Sequence, residues 1–291
     1  MKKVNGYKMF TFFNYLFMIL IILITLYPIW HVVMASFSDP TKLYVHNGTL
    51  LWPLGEPNLS AYERVFKHRL ILSGFANTLF IVVVGVIVNL IFTTLGAFFM
   101  SIKGPKFSNV FGYMVVISMY FNGGMVPTYL NIVDLGLLNS RWSLILPVAI
   151  TTTNMIIMKS AFVAVPDSLI ESALLDGANY GQVLTKIMIP LCKATIAVLV
   201  LYYGVSHWNS WFTASIYLRD ADKYPVQLVM RDILRSLSGA GAGGADADES
   251  VFIARQMQYA LIVVVSMPVM VIYPFIQKYF VKGVMIGAVK G

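Results

Sequence analysis

The sequence carries little charge for its length. Charged residues make up 12% of the 291 residues and hydrophobic residues 58%, whereas roughly 25% of the residues in a soluble domain are charged. So few charged side chains cannot cover a water-facing surface, and most of the surface must therefore face lipid. The composition excludes an ordinary soluble domain and indicates a membrane protein.

Residues that could carry chemistry are also scarce. The single cysteine, Cys192, cannot form an internal disulfide, and we interpret it as a small apolar residue at the start of a span. The sequence shows no metal-ligand cluster and no nucleophile–base set, and its four histidines are scattered over loops and span ends: His31, His46, His68 and His207. We therefore expect no catalytic residue, no metal site and no enzyme.

Six hydrophobic segments are long enough to cross a membrane, since a spanning helix needs about 20 mostly apolar residues. They cover residues 11–34, 73–100, 107–128, 142–164, 191–212 and 258–280. The third is interrupted by Asn122, Gly123, Gly124 and Pro127, and such breaks are tolerated where they are buried or line a cavity. The fold class predicted is an all-α, polytopic membrane protein.

The first segment could also be a signal peptide, because Lys2, Lys3 and Lys8 precede an apolar run. That run is too long for a signal peptide, and no clear cleavage site follows it. We predict a retained transmembrane helix.

Basic residues predict the orientation, because they accumulate in short cytosolic segments. With the N-terminus inside, the cytosolic side holds eleven basic and three acidic residues, and the opposite side holds ten of each. Both termini and the segment 166–190 are therefore predicted to be cytosolic. The net charge of +8 then reflects this bias, and no nucleic-acid partner is expected.

The polar segment 166–190 has the signals of a short helix followed by a second helix. Ser168 and Glu171 form a Ser-x-x-Glu capping box, and Gly177 suits the left-handed position that follows a helix. A second, amphipathic helix is predicted over residues 180–188, and Pro190 is expected to open the fifth span. A simple hairpin between two spans would use the same caps, so capping alone identifies no function.

The same segment resembles the EAA loop of ABC-importer permeases, a Glu-x-Ala-x-x-x-Gly pattern followed by Ile-x-Leu-Pro. The matching positions are Glu171, Ala173, Gly177, Ile187 and Pro190, whereas Ile189 replaces the usual leucine, and Ser172 and Leu174 replace alanines. Residues 121–129, 208–212, 277–283 and 287–291 resemble the carbohydrate-type branch, which includes permeases of the polygalacturonan type. The spacing from Glu171 to Pro190 favours a docking loop over a plain hairpin.

The resemblance implies a type I ABC-importer permease fold in a bacterial inner membrane. It also implies a second permease subunit, two cytosolic ATPase subunits that bind ATP and Mg, an extracytoplasmic binding protein and an oligosaccharide substrate. This chain lacks the Gly-x-x-x-x-Gly-Lys-Ser/Thr loop and should hold no nucleotide or other cofactor itself. The residues expected to dock on the ATPase are Glu171, Ser172, Ala173, Asp176, Gly177 and Ala178.

Three regions are expected along the chain. Residues 1–72 form an N-terminal transmembrane helix with an extracytoplasmic loop, residues 73–281 form the core permease domain with the coupling loop 166–190, and residues 282–291 form a cytosolic tail. Within the core, residues 239–248 are rich in Gly, Ala and Asp and predict a flexible outer loop. Cation binding by Asp246 and Asp248 is the alternative.

Polar and aromatic residues inside the spans are candidates for the substrate pathway: Asn77, Asn89, Tyr202, Tyr203, His207, Trp208, Asn209 and Trp211. Spacings of four residues would place Tyr203, His207 and Trp211 on one stripe of a helix. The alternatives are polar contacts between helices and, for the tryptophans, anchoring at the membrane interface. For the polar run 151–154 we favour contacts between helices.

An ion-coupled carrier or a channel is the main rival interpretation. Carriers of that kind usually keep ionisable residues inside their spans. Here the span interiors hold no carboxylate, and His207 is the one ionisable residue well inside a span. The ABC-importer interpretation therefore remains the prediction.

Overall fold

The computed structural model describes residues 2–102, 107–121, 123–240 and 249–288. Within these ranges the chain forms helices and no strand, in agreement with the predicted all-α class. Lys103, Lys106, Asn122, the stretch 241–248 with Asp246 and Asp248, and residues 289–291 lie outside the described residues.

Fourteen α-helices follow one another along the described residues: α1 (Lys2–Phe37), α2 (Pro40–Val45), α3 (Ser60–Lys67), α4 (Arg69–Ser101), α5 (Ser108–Tyr120), α6 (Met125–Asp134), α7 (Thr152–Val163), α8 (Asp167–Leu175), α9 (Tyr180–Gln182), α10 (Ile189–Leu191), α11 (Lys193–Trp208), α12 (Trp211–Tyr217), α13 (Val226–Ala240) and α14 (Glu249–Ala288). Short 3₁₀ segments cover Arg141–Leu144, Leu146–Val148 and Ala221–Lys223, and a π-helical segment covers Val183–Met188.

Three helices, α1, α4 and α14, contain stretches that are by themselves long and apolar enough to cross a membrane. They include the predicted first, second and sixth spans and extend past both ends of each. Three further pairs of segments pass the same test only when each bent pair is taken as one span, which brings the described part of the chain to six spans.

The third and fourth spans are broken helices. The third consists of α5 and α6, and Gly124 with φ 89° precedes α6, as the glycines predicted. The prediction of one helix over residues 142–164 is wrong, because 3₁₀ turns fill its first half and α7 starts at a bend of 50°. Pro147 lies in those turns, and proline lacks the N–H that a continuous α-helix would use there.

The fifth span also differs from the prediction, because it counts as a span only when Tyr180–Leu191 is joined to Lys193–Trp208. Helix α11 ends at Trp208 and α12 begins at Trp211, so residues 191–212 do not form one helix. The amide of Asn209 donates to the carbonyl of Val205 at 3.0 Å, and such side chains compete with helical backbone bonds. Pro190 belongs to α10, which meets α11 at a bend of 84°, and it does not open the span as expected.

The chain divides into two compact units, Met1–Arg69 with Met230–Met267 and Leu70–Val229 with Pro268–Gly291. In the first unit a small core surrounds Ala35, Leu43 and Leu50. The side chain of Gln256 is fully buried there and donates to the carbonyls of Ser36 (3.1 Å) and Asn58 (2.9 Å). These bonds tie α14 to the end of α1 and to the segment that follows it.

Two hydrophobic clusters lie among the described residues of the second unit. One surrounds Phe98, Met158 and Phe162 and includes Val183 and Met188 from the π-helical segment. We name this the coupling-side core. The other cluster contains Ile81, Ile132, Leu144, Ile145, Ala214, Tyr217, Leu218 and Leu228. The predicted docking loop and the predicted pathway residues of α4 and α11 all belong to this unit.

Candidate functional site

Helix α8 ends in a Schellman motif at the glycine that the sequence singled out. Gly177 has φ 85°, its N–H donates to the carbonyl of Leu174 at 3.1 Å, and the N–H of Ala178 donates to the carbonyl of Ala173 at 2.9 Å. These are the two bonds of that motif, so the left-handed position predicted for Gly177 is confirmed.

The start of α8 differs from the prediction. Helix α8 begins at Asp167 with Pro166 in the capping position and without a side-chain cap. Ser168 therefore lies inside the first turn and cannot cap it, so the Ser168–Glu171 capping box is wrong. A capping box forms instead before α9, where Asn179 and Gln182 exchange two bonds of 2.9 Å.

The residues predicted to dock on a partner divide by exposure. Four of them are exposed: Glu171, Ser172, Asp176 and Gly177. Ala173 and Ala178 pack against the coupling-side core, so their small size lets α8 lie close to it. Leu175, which the sequence analysis did not select, is 89% exposed and gives the loop an apolar contact point.

The second helix of the loop is mostly π-helical. Val183, Leu184 and Met188 are buried on one side of it, so the amphipathic pattern predicted for residues 180–188 is present but the α-helical geometry is not. A depression of about 270 Å³ lies beside this segment and is lined by Asp176, Gly177, Ala178, Gln182, Lys186 and Ile187. An added Cβ on Gly177 would meet no atom within 4 Å, so its constraint within the chain is the positive φ and not crowding.

Two of the predicted pathway residues join α11 to α4. The amide nitrogen of Asn89 donates to the carbonyl of Val148 at 2.6 Å, and its Oδ1 lies 2.7 Å from Nε2 of His207. Because an amide oxygen only accepts, this network assigns the hydrogen to Nε2 of the histidine. Gly85 makes the contact possible, since a Cβ there would lie 2.5 Å from the same nitrogen.

Tyr203 and Asn77 are likewise bonded within the chain. The hydroxyl of Tyr203 lies 2.6 Å from the hydroxyl of Thr93. The amide of Asn77 donates to the carbonyls of Asp222 and Tyr224 at 2.7 and 3.1 Å. Its oxygen accepts from Arg141. These contacts agree with the alternative to a pathway role, in which the polar residues hold helices together.

The other four predicted pathway residues keep accessible surface: Tyr202, Trp208, Asn209 and Trp211. Trp211 belongs to α12, beyond the break after Trp208, so the continuous stripe of Tyr203, His207 and Trp211 is wrong. Tyr203 and His207 share α11 but are buried.

A cavity of about 410 Å³ lies where α11, α12 and the 3₁₀ turns meet. Its polar side chains are Thr128, Ser143, Ser206, His207, Asn209, Ser210, Thr213 and Tyr217. The sequence analysis selected His207 and Asn209 of these. The available signal was the spacing of Ser206, Ser210 and Thr213, which repeats at four and three residues across the break. Among the described residues no group of three or more His, Cys, Asp or Glu side chains could hold a metal ion.

Comparison with known proteins gives relatives over the whole chain. The chain is 36% identical to the polygalacturonan/rhamnogalacturonan transport system permease protein YtcP of Bacillus subtilis, over 98% of this chain and 99% of that protein. It is also 36% identical to the protein LplC of the same organism, over 100% of this chain and 98% of that protein. No family model matches.

A solved structure has the same fold. It is a bacterial ABC transporter involved in the import of the acidic polysaccharide alginate, with a TM-score of 0.85 and 31% identity over 94% of this chain and 98% of that one. YtcP is named as a transport permease, and the solved structure is an ABC transporter. The chain therefore belongs to the carbohydrate-type permeases of ABC importers and is a multi-pass membrane component of a transport system.

Proposed function

We propose that this chain forms one half of the translocation path of an oligosaccharide importer and couples it to ATP hydrolysis through the loop 166–190. The observation that carries the proposal is the exposed end of α8, where Leu175 and Gly177 project beside an open depression. Similarity over the whole chain to transport permeases supports it. A second permease would complete the path.

The loop offers a cytosolic ATPase both apolar and polar contacts. Leu175 is 89% exposed, and burying such a side chain contributes about 1.5–3 kcal/mol. Glu171, Ser172 and Asp176 surround it with hydrogen-bonding groups. The depression beside Gly177 would receive a side chain of the ATPase, whose own sites hold the ATP and Mg.

Movement of α8 would reach the membrane core directly. Ile170, Ala173 and Leu174 pack against the same cluster that contains Phe162 of α7 and Met188 of the π-helical segment. Close-packed interiors transmit displacements. A displacement of the loop by the ATPase would therefore shift α7 and α11 and open or close the path.

The substrate class follows from two lines of support. YtcP is named for polygalacturonan and rhamnogalacturonan transport, and the structural neighbour is involved in the import of alginate. In this chain the accessible Tyr202, Trp208, Asn209 and Trp211 offer aromatic and amide groups, which suit the apolar faces and hydroxyl rims of sugars. Asn77, Asn89, Tyr203 and His207 act in this scheme by fixing the helices that carry them.

The orientation and the domain arrangement belong to the same proposal. The excess of basic residues in short segments favours a cytosolic position for both termini and α8. In this scheme an extracytoplasmic binding protein would deliver the sugar to the other side of the bacterial membrane. Residues 1–72 contribute the first helix and an outer loop, residues 73–281 the core permease domain, and residues 282–291 a cytosolic tail.

Reconstitution tests this function. The chain, its companion permease, the ATPase and the binding protein are placed in liposomes, and ATP hydrolysis and sugar uptake are measured with and without each component. We expect the loaded binding protein to stimulate hydrolysis only when this chain is present. Uptake that proceeds without ATP or without the ATPase would refute the proposal.

A further inference from the structure

A loop in the first unit lies against the side of α1 at the level of two aromatic residues. The N–H of Leu50 donates to the hydroxyl of Tyr27 at 3.2 Å. The indole Nε1 of Trp30 donates to the carbonyl of Leu51 at 2.9 Å. Leu50 is itself buried in the small core of this unit. The start of the loop is therefore fixed to α1.

The far end of the same loop is fixed as well. The N–H of Leu54 donates to Oγ of Ser38 at 3.0 Å, and its carbonyl accepts from the N–H of Asp39 at 2.8 Å. Residues 51–53, which are Leu, Trp and Pro, lie between these two attachment points. We name residues 51–53 the loop tip. Its position relative to α1 is set by bonds at both ends.

The loop tip presents large apolar side chains outward. Trp52 is 75% exposed and Leu51 is 59% exposed. Val45, the last residue of α2, is 76% exposed. Apolar side chains of this size, exposed close together in the chain, indicate a surface that meets lipid or another protein.

The level of Tyr27 and Trp30 on α1 favours lipid as the occupant. Both residues follow the mostly apolar run 16–26, and α1 continues to Phe37. At a rise of 1.5 Å per residue they lie roughly 10 to 15 Å before the end of the helix. Tyr and Trp concentrate where the hydrocarbon meets the headgroups. The loop tip therefore lies at that boundary, beside the surface of a helix long enough to span the membrane.

The hydrogen bonds of the loop suit this position. Irregular backbone close to lipid needs partners for its polar groups. Helix α1 supplies two of them, the hydroxyl of Tyr27 and the indole N–H of Trp30, and Pro53 has no N–H that requires one. The other backbone groups of the loop tip can reach headgroups and water, which are present at the boundary and not in the hydrocarbon.

The charge beside the exposed apolar side chains also suits a phospholipid. A groove of about 510 Å³ is lined by Thr41, Lys42, Val45, His46 and Leu54. A lysine lays its alkyl stem along apolar surface and keeps its ammonium at the polar level. The ammonium of Lys42 can therefore approach lipid phosphates while the neighbouring apolar side chains face the acyl boundary.

We propose that the loop tip is an interfacial anchor, which inserts Leu51 and Trp52 into the phospholipid boundary at the C-terminal end of α1. Tyr27 and Trp30 set the depth of this insertion. The proposal goes beyond the proposed function, because it requires only that α1 crosses the membrane and it holds for either orientation. The anchor would fix the height of α1 in the bilayer.

Spin labels report which medium surrounds the loop tip. Trp52→Cys is labelled in a Cys192→Ser background, and Glu56→Cys is the matched control, because Glu56 is exposed further along the same segment. The complete importer is placed in liposomes of phosphatidylethanolamine and phosphatidylglycerol. Collisions of the label are measured with oxygen, which concentrates in lipid, and with a water-soluble nickel chelate. The ratio of oxygen to chelate collisions should be several-fold higher at residue 52 than at residue 56.

Two conservative variants test what sets the depth. Trp30→Phe and Tyr27→Phe each keep an aromatic ring and remove one bond to the loop. In both, the collision ratio at residue 52 should fall toward that of the control position. Tyr15→Phe, which removes a hydroxyl elsewhere on α1, should leave the ratio unchanged. Equal ratios in Trp30→Phe, Tyr27→Phe and Tyr15→Phe would refute the depth-setting role.

Two results at residue 52 would overturn the anchor. Frequent collisions with the chelate would show that the loop tip faces water, and infrequent collisions with both reagents would show that a protein covers it. Leu51→Cys provides the same measurement if Trp52→Cys does not assemble. ATP-driven uptake is recorded in the same vesicles. Failure of the collision test with uptake intact removes the anchor alone, whereas uptake without ATP counts against the proposed function.

Discussion

The loop that carries α8 and the interface between α4 and α11 use polar residues in opposite ways. In the loop, Glu171 and Asp176 are exposed beside an exposed Leu175. At the interface, Asn89 and His207 are buried and bond to each other. The loop therefore leaves these groups available to a partner outside the chain, whereas the polar groups of the interface are paired within it. Residue type alone does not distinguish a binding surface from an internal contact.

The largest effect is expected at Gly177. Its φ of 85° suits glycine, and a β-branched residue there costs about 1–3 kcal/mol of backbone strain. Gly177→Val should misplace the end of α8 and reduce ATP-dependent transport at least tenfold, while the permease still reaches the membrane. Transport in vesicles and membrane abundance are the measurements.

The control at the same position is Gly177→Asn, because asparagine tolerates the left-handed region. It should retain most of the transport. If both variants transport normally with the ATPase still required, the loop that carries α8 is an ordinary hairpin. The contrast between a docking loop and the internal interface of α4 and α11 would then be wrong.

The next effect is expected at Gly85 in the interface between α4 and α11. A Cβ there would lie 2.5 Å from Nε2 of His207, and overpacking of this kind costs about 1–3 kcal/mol. Gly85→Ala should therefore lower the thermal unfolding temperature in detergent. Gly204→Ala on α11 is the control, since its Cβ would meet no atom within 4 Å.

Adding His207→Ala to Gly85→Ala should restore part of the lost stability by removing the clash. A double variant less stable than Gly85→Ala by the full cost of His207→Ala alone would show that the two residues do not interact.

A smaller effect is expected at Thr93. Thr93→Val keeps the shape and removes the bond to the hydroxyl of Tyr203, which should cost about 0.5–1.5 kcal/mol. Thr94→Val is the matched control, because Thr94 bonds the carbonyl of Leu90 in its own helix. The unfolding free energies of Thr93→Val, Tyr203→Phe and the double variant give the coupling energy between the two hydroxyls. Thr94→Val is measured beside them. A zero coupling energy would contradict the assigned contact.

The smallest effect is expected at Asp220, which is fully exposed. Hydrogen bonds from Asn139 and Lys223 lower the pKa of Asp220. Because the pKa of Asp220 is lower in the folded than in the unfolded state, the ionised carboxylate stabilises the fold at pH values above the unfolded pKa of about 3.9. This stabilisation is lost as the pH falls through the folded pKa. Wild type should therefore exceed Asp220→Asn slightly in unfolding temperature at pH 6, and the difference should shrink as the pH falls below about 4. A difference that is independent of pH would refute this.

Elements with a strong local signal in the sequence were predicted correctly. Uninterrupted apolar runs predicted α1, α4 and α14, and the positive φ of Gly177 follows from glycine's freedom after a helix. The breaks at Pro147 and Asn209 were missed because hydropathy over a window does not register a single proline or a capping amide. Ser168 was misassigned because the capping position of α8 is Pro166, two residues earlier than predicted.

Less of the candidate site could be predicted from the sequence. Burial of Asn89 and His207 depends on pairing across 118 residues, which no local pattern encodes. The cavity between α11, α12 and the 3₁₀ turns is lined by residues from 128 to 217, which meet only in the folded chain. Exposure of Leu175 likewise emerges only once the rest of α8 is packed.

The most direct test of the coupling loop is cross-linking in the assembled importer. Leu175→Cys and Leu135→Cys are made in a Cys192→Ser background, since both leucines are strongly exposed, at 89% and 70%, and the proposed topology places them on opposite sides of the membrane. A short thiol cross-linker should join Leu175→Cys to the ATPase and leave Leu135→Cys unjoined. Cross-linking at Leu135→Cys and none at Leu175→Cys would contradict the proposed docking and orientation together.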